Sequence, residues 1–159
     1  MPIMNTQNVR LLIAGKAYQL LMAALCVWRE ARGESGEVQR AVAWTIRNRS
    51  NVDEGRSVAK QPPRFGGPQL AGVVTKHFQF SSFNAGDPNA TKFPLESEPI
   101  GWKAWESCMR EVDNVYYAGA PDPTNGATHY FDASLDNNLP TWAQQMTRTA
   151  VIGRLRFYK

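Results

Sequence analysis

The sequence predicts an α+β protein, mainly helical with a small β element. Three observations carry this reading. Helical periodicity appears in separate segments up to about residue 119, and turn residues and alternating patterns replace it afterwards. The chain has 159 residues with 43% hydrophobic content, enough for a single core. No repeat, charge block or linker divides it, so residues 1–159 read as one domain.

The first predicted helix covers Ala17 to Ala31, with Ala17, Leu21, Ala24, Leu25, Trp28 and Ala31 at three-and-four spacing. Met22, Ala23, Cys26 and Val27 make its other faces apolar too, the pattern of a central helix packed on several sides. Gly33 and Gly36 break it. A second helix over Glu37 to Arg49 carries the stripe Val38, Ala41, Val42, Thr45 and Ile46, with Ser35 as its N-cap, and forms a hairpin with the first. Ser50 to Gln69 reads as a long surface loop because Pro62, Pro63, Gly66, Gly67 and Pro68 interrupt any period. Leu70 to His77 reads as a short helix or strand. Another helix begins near Pro99, suited to a first helical turn, carries Trp102, Trp105, Met109, Val112 and Tyr116 on one face, and stops at Gly119 and Pro121. Turn chemistry at Asp122 to Gly126, a strand over Thr128 to Phe131 and alternation around Gly153 from Thr147 to Tyr158 complete the β element.

Composition narrows the function classes. The formal charge of +4 favours encounter with an anionic polymer without identifying it: nucleic acid, an acidic membrane and bacterial wall all qualify. The apolar run Ala17 to Trp28 is too short to span a bilayer, and no small-x-small cleavage site follows it, so neither a membrane span nor a secretory signal is expected. Cys26 and Cys108 lie in helix-like apolar segments and read as buried small hydrophobes rather than a bridged pair. His77 and His129 lack metal-type spacing and there is no Cys-x-x-Cys pair, so no metal is expected. No Gly-x-Ser-x-Gly elbow or Walker-type loop is present.

The chemistry concentrates at the end of the first helix. Glu30 falls where unsatisfied helix carbonyls disfavour an ionised carboxylate, and burial acts in the same direction. A carboxyl group that keeps its proton can give it to a departing oxygen, the first requirement for breaking a glycosidic bond. The alternative is a surface ion pair with Arg29 or Arg32. Glu34 follows four residues on, with Gly33 between, and either serves as base, nucleophile or substrate contact or assists the start of the next helix. Gln79, Ser81 and Asn84 offer amides and a hydroxyl suited to sugar groups, or stabilise their own loop. His129 and Tyr130 follow a turn and either reach the same cleft or are structural. Of the tryptophans, Trp28, Trp102 and Trp105 read as core, and Trp142 is the least committed.

The string Trp28-Arg29-Glu30-Ala31-Arg32-Gly33-Glu34, with Ala41-Val42-Ala43 and Asn48-Arg49 after it, resembles the cell-wall hydrolase family that includes spore-cortex-lytic enzymes. Gln79-Phe80-Ser81 is similar to that family's central motif, and Asp122 through Phe131 to its long C-terminal signature. Pro140, Trp142, Ile152-Gly153 and Phe157-Tyr158 resemble the closing stretch, so the likeness runs from about Leu20 to the end. It implies a lysozyme-like fold, cleavage of peptidoglycan between N-acetylmuramic acid and N-acetylglucosamine without a cofactor, and Glu30 as catalytic acid. It further implies lytic transglycosylation, in which the sugar's own C6 hydroxyl replaces water and a 1,6-anhydro end results, and substrate contact by Gln79 and Ser81. The order His129-Tyr130-Phe131 departs from the Phe-Tyr pair that follows the histidine in many relatives, and the segment Gln61 to Pro68 has no counterpart.

Two alternatives stay open at this level: a hydrolytic muramidase using Glu30 and Glu34, and a non-catalytic basic module binding wall polymer or nucleic acid through residues such as Arg148, Arg154 and Arg156. The basic residues are dispersed and no nucleic-acid motif accompanies them. A monomer acting on peptidoglycan, released from a host cytoplasm as a phage endolysin, is the expected setting.

Overall fold

The computed structural model describes residues 6–77 and 79–159, with side chains from residue 14 onward. Four helices, α1 (Thr6–Ala31), α2 (Gly36–Val58), α3 (Leu70–Thr75) and α4 (Pro99–Tyr116), precede three strands, β1 (His129–Asp132), β2 (Arg148–Ile152) and β3 (Leu155–Tyr158). The strands form one antiparallel sheet in the order β1-β3-β2. Short 3-10 turns lie at Ser81–Phe83, Ala133–Leu135 and Thr141–Gln145. The protein is thus mainly helical with a small sheet.

The second half of α1 is the centre of the core. Ala23, Ala24, Cys26, Val27, Trp28 and Ala31 are buried among α2, α3 and α4. Leu21 departs from the expected stripe: it is 47% exposed, because that side of α1 faces a surface groove it shares with Tyr18, Trp102 and Trp105. Both cysteines are buried and free. Among the described residues no helix is long and apolar enough to cross a membrane.

Helix α2 starts as expected, with the Ser35 hydroxyl accepting the Val38 N–H at 3.4 Å. It runs nine residues beyond Arg49, however, into the stretch read as loop. The reason is chemical: the buried face continues through Arg49 and Asp53, so the apolar period stops while the inward-facing positions do not. Asp53 is completely buried, and its carboxylate accepts the N–H groups of Arg64 (2.6 Å), Phe65 (2.8 Å) and Gly67 (2.7 Å). This ties the Pro-rich segment to the helix. Gly66 sits at φ +115 with its α-carbon against α3, where a β-carbon would lie 2.2 Å from the Gly72 carbonyl oxygen.

The segment read as a short helix or strand from Leu70 to His77 is helix over Leu70–Thr75, and α4 carries Pro99 at its first turn. The β2–β3 hairpin turns at Gly153, φ +55, close enough to α2 that a β-carbon would meet Val38 Cγ2 at 2.7 Å. Phe157 and Ile152 from this sheet join the main core, while Phe131, Tyr158, Ala143, Trp142 and Met146 make a satellite cluster on its other face.

Burial works against the charge of Asp53, but the N–H groups of Gly67, Arg64 and Phe65 outweigh it and hold the carboxyl below the usual carboxylate range. A group lowered in this way stabilises the fold above its ordinary value and loses that contribution as acid protonates the folded form. Asp53→Ala, which leaves the loop donors without their acceptor, is expected to cost about 2–4 kcal/mol in urea unfolding at neutral pH. A change below about 0.5 kcal/mol, the range of an ordinary surface substitution, would contradict this role.

Candidate active site

Glu30 lies one residue before the end of α1, half-buried. That end is held by Gln39 of α2, whose side-chain amide donates to the carbonyls of Ala31 and Glu34 and whose oxygen accepts Ser107 of α4 at 2.7 Å. Three helices therefore determine where Glu30 sits. Neither Arg29 nor Arg32 pairs with it. Arg29 donates to the carbonyls of Lys92 and Ser82 (3.1 and 3.2 Å), and Arg32 reaches Asn89 and lies over the Trp28 ring.

The Glu30 carboxylate is instead gripped by two hydroxyls. Ser82 Oγ donates to Oε1 at 2.5 Å and Tyr130 OH donates to Oε2 at 3.0 Å. The Ser82 N–H adds a long contact of 3.4 Å to Oε1. These partners stand 52 and 100 residues away in the chain, so the contact closes only in the folded molecule. Burial and the neighbouring Glu30 charge push the Tyr130 hydroxyl well above its ordinary range, so it stays a neutral donor.

Tyr130 is delivered by α2. Asn48 donates to Asp122 (3.0 Å), Thr124 (3.4 Å) and the Ala127 carbonyl (3.0 Å), while Arg49 donates to the Thr128 carbonyl at 2.6 Å. Asp122 also accepts the N–H groups of Thr124 and Gly126, which closes the turn. Buried Arg49 additionally reaches the Gln79 carbonyl (3.3 Å) and lies over the Phe65 and Phe80 rings. Its positive charge acts on Tyr130 and Glu30.

Beside Tyr130 opens a cleft of about 270 Å³ lined by Arg49, Gln79, His129, Tyr130 and Trp142. His129 and Trp142 stack obliquely, centroids 5.1 Å apart. Burial, with Arg49 and Arg64 nearby, pushes the His129 imidazole down to about 4, so it is neutral at physiological pH and can exchange hydrogen bonds with a ligand.

Of the residues singled out in the sequence, Glu30 and Tyr130 meet directly, and Gln79 and His129 line the adjoining cleft. Ser81 stands exposed at the start of the 3-10 turn, and it is its neighbour Ser82 that reaches Glu30. Asn84 closes that turn through its N–H to the Ser81 carbonyl. Glu34 lies past the helix end, its charge acting on Arg154 of the hairpin rather than joining the grip on Glu30. Arg29, Arg49 and Ser82 were not singled out as site residues. Arg49 belongs to the Asn48-Arg49 pair of the family likeness, but a buried arginine on an amphipathic stripe carries no periodic signal. Among the described residues no group of three or more His, Cys, Asp or Glu could hold a metal ion.

The fold is thus a helical domain whose small sheet brings Tyr130 both to a polar cleft and to one hydroxyl-gripped carboxylate. The chain belongs to the cell wall hydrolase family, whose model matches residues 33–158. Glu30 stands three residues before that match. In fold the chain is similar to the catalytic domain of the germination-specific lytic transglycosylase SleB from Bacillus anthracis, with a TM-score of 0.62 and 23% identity over 89% of this chain and 93% of that one. It is also similar to the catalytic domain of the Bacillus cereus SleB protein, with a TM-score of 0.58 and 23% identity over 89% of each chain. No curated protein sequence gives a significant match.

Because the folded imidazole of His129 binds its proton at about 4 rather than 6.5, the unfolded chain takes it up first as pH falls. The contribution of His129 to stability is therefore full above pH 6.5 and declines towards pH 4. His129→Gln is expected to flatten the slope of unfolding free energy across that window, measured by denaturant titration at several pH values. An unchanged slope would contradict a neutral, desolvated His129.

Proposed function

We propose that the protein cleaves the glycan strand of peptidoglycan between N-acetylmuramic acid and N-acetylglucosamine, with Glu30 as acid and then base. The observation that carries this is the double grip on Glu30, one of whose donors, Tyr130, also lines a polar cleft, in a chain of the cell wall hydrolase family.

The protonated Glu30 gives its proton to the bridging oxygen as the bond from muramic C1 to that oxygen breaks, leaving positive charge on the sugar ring. The muramic C6 hydroxyl then attacks C1 and returns its proton to the carboxylate. A 1,6-anhydro end forms, no water is consumed, and Glu30 is restored. Ser82 and Tyr130 hydroxyls can donate or accept, so they hold the side chain in both of its protonation states. They steady the carboxylate once the proton has left, and the nearby Arg49 charge assists. Only one carboxyl group is required, which agrees with the position of Glu34 away from the grip. Gln79, His129 and Trp142 supply amide, imidazole and ring faces for acetamido and hydroxyl groups. Trp142 stands on the cleft wall, where it can stack on a sugar face.

Glu30→Gln keeps shape and removes the proton relay. It is expected to abolish turbidity loss of purified cell walls while melting as the parent does. Product mass from the parent enzyme should be one water lighter than that of a hydrolysed reducing end. Only reducing ends would instead indicate a hydrolytic muramidase, and normal clearing by the folded Glu30→Gln variant would overturn the role of Glu30. Ser82→Ala and Tyr130→Phe each remove one hydrogen bond to the charged carboxylate, and kcat is expected to fall roughly 10- to 100-fold with little change in KM.

A further inference from the structure

A second cavity, larger than the cleft beside Tyr130, lies apart from it. It holds about 670 Å³ and opens between the end of α1, the loop at residues 91–95 and the first turn of α4. Its floor is the Trp28 ring, fixed by the indole N–H donating to the Gly101 carbonyl at 3.1 Å. Arg32 and Lys92 border it with positive charge and Glu98 with negative charge. Leu95 and Ile100 stand on its rim, 49% and 89% exposed. Exposed apolar side chains clustered on the rim of a pocket mark a binding surface.

This cavity is coupled to Glu30 by one guanidinium. Arg29 donates from Nε to the Lys92 carbonyl on the cavity wall and from Nη1 to the Ser82 carbonyl, and Ser82 grips Glu30. Gly33, one helical turn past Glu30, also lines the cavity. The site therefore begins within a few residues' reach of the reacting bond. A stem of four extended residues spans about 14 Å, and the cavity lining starts at Gly33, three residues from Glu30.

Resting on the reading above, we infer that this cavity binds the stem peptide attached to muramic acid. The chemistry decides between peptide and sugar. A stem peptide presents free carboxylates and an amine beside alanine methyls, which match Arg32 and Lys92, Glu98, and the apolar floor and rim. A stripped glycan carries a lactyl carboxylate on each muramic acid and an acetamido methyl on each sugar but no amine, so it would leave Glu98 without a partner. Occupation of the cavity would orient the muramic acid over Glu30 and favour stem-bearing strands.

The test uses the whole chain and two substrates: stem-bearing glycan strands, and the same strands stripped of stems by an amidase. Lys92→Glu and Ile100→Asp are surface changes. Each is expected to raise KM on stem-bearing strands about fivefold or more, the size of one lost ion pair or apolar contact, and to leave KM on stripped strands unchanged. Equal effects on both substrates would make the cavity a sugar subsite and overturn the inference, as would no effect on either. Free tetrapeptide stem added at millimolar concentration should shift the Trp28 indole N–H resonance in the parent and not in Lys92→Glu. That readout needs no catalysis: a protein that cleaves neither substrate but shows the shift would sink the glycan-cleavage reading alone, and absence of the shift would sink the peptide site.

Discussion

The structure depends on bringing two hydroxyls from distant parts of the chain onto one carboxylate, and two buried arginines do this. Arg29 of α1 and Arg49 of α2 are built alike. Each lies over two aromatic rings, Phe83 and Phe93 for Arg29, Phe65 and Phe80 for Arg49. Each donates to loop carbonyls: Lys92 and Ser82 for the first, Thr128 and Gln79 for the second. Taking a guanidinium out of water costs several kcal/mol unless its donors are used, so each arginine is tolerable only when its loop is in place. The loops are held for the same reason. One of them presents Ser82 and the other Tyr130, and Glu30 lies between.

This design explains why so many polar groups sit inside a small domain. Gln39, Asn48, Arg49 and Asp53 come from one helix, and each holds backbone of a segment lacking long regular structure of its own. Helix α2 acts as a rack of side-chain donors and acceptors. The long connections rely on it because three short strands and a six-residue α3 offer them little ladder or packing. Phe65 illustrates the economy: anchored through its N–H by Asp53, its ring lies under Arg49 and edge-on to His129 at 5.8 Å, so the Pro-rich loop backs two residues that line the cleft.

Much of the fold was legible in the sequence because it rests on apolar periodicity and turn residues. The central α1, the Ser35 cap, Pro99 at the start of α4 and the hairpin at Gly153 all follow from local patterns. The continuation of α2 to Val58 was not legible, since Arg49 and Asp53 occupy its buried face, and charged residues at inward positions look like solvent exposure when read alone. At the site, Glu30 and Tyr130 carried a signal through their motifs. Ser82 was passed over for Ser81 because a 3-10 turn of three residues has no periodicity by which to tell the inward hydroxyl from the outward one. The partnership of Arg29 with Ser82 rather than Glu30 was equally hidden: adjacency along the chain suggested an ion pair that helix geometry does not allow to form.

Catalysis as proposed requires that the gripped carboxylate face the bond that breaks. The most direct measurement is a crystal structure of Glu30→Gln soaked with a tetrasaccharide of alternating N-acetylglucosamine and N-acetylmuramic acid. The bridging oxygen of one muramic acid is expected within hydrogen-bond distance of the substituted side chain, with a neighbouring sugar against Gln79, His129 and Trp142. A glycan bound elsewhere on the surface, with position 30 remote from every glycosidic oxygen, would contradict it.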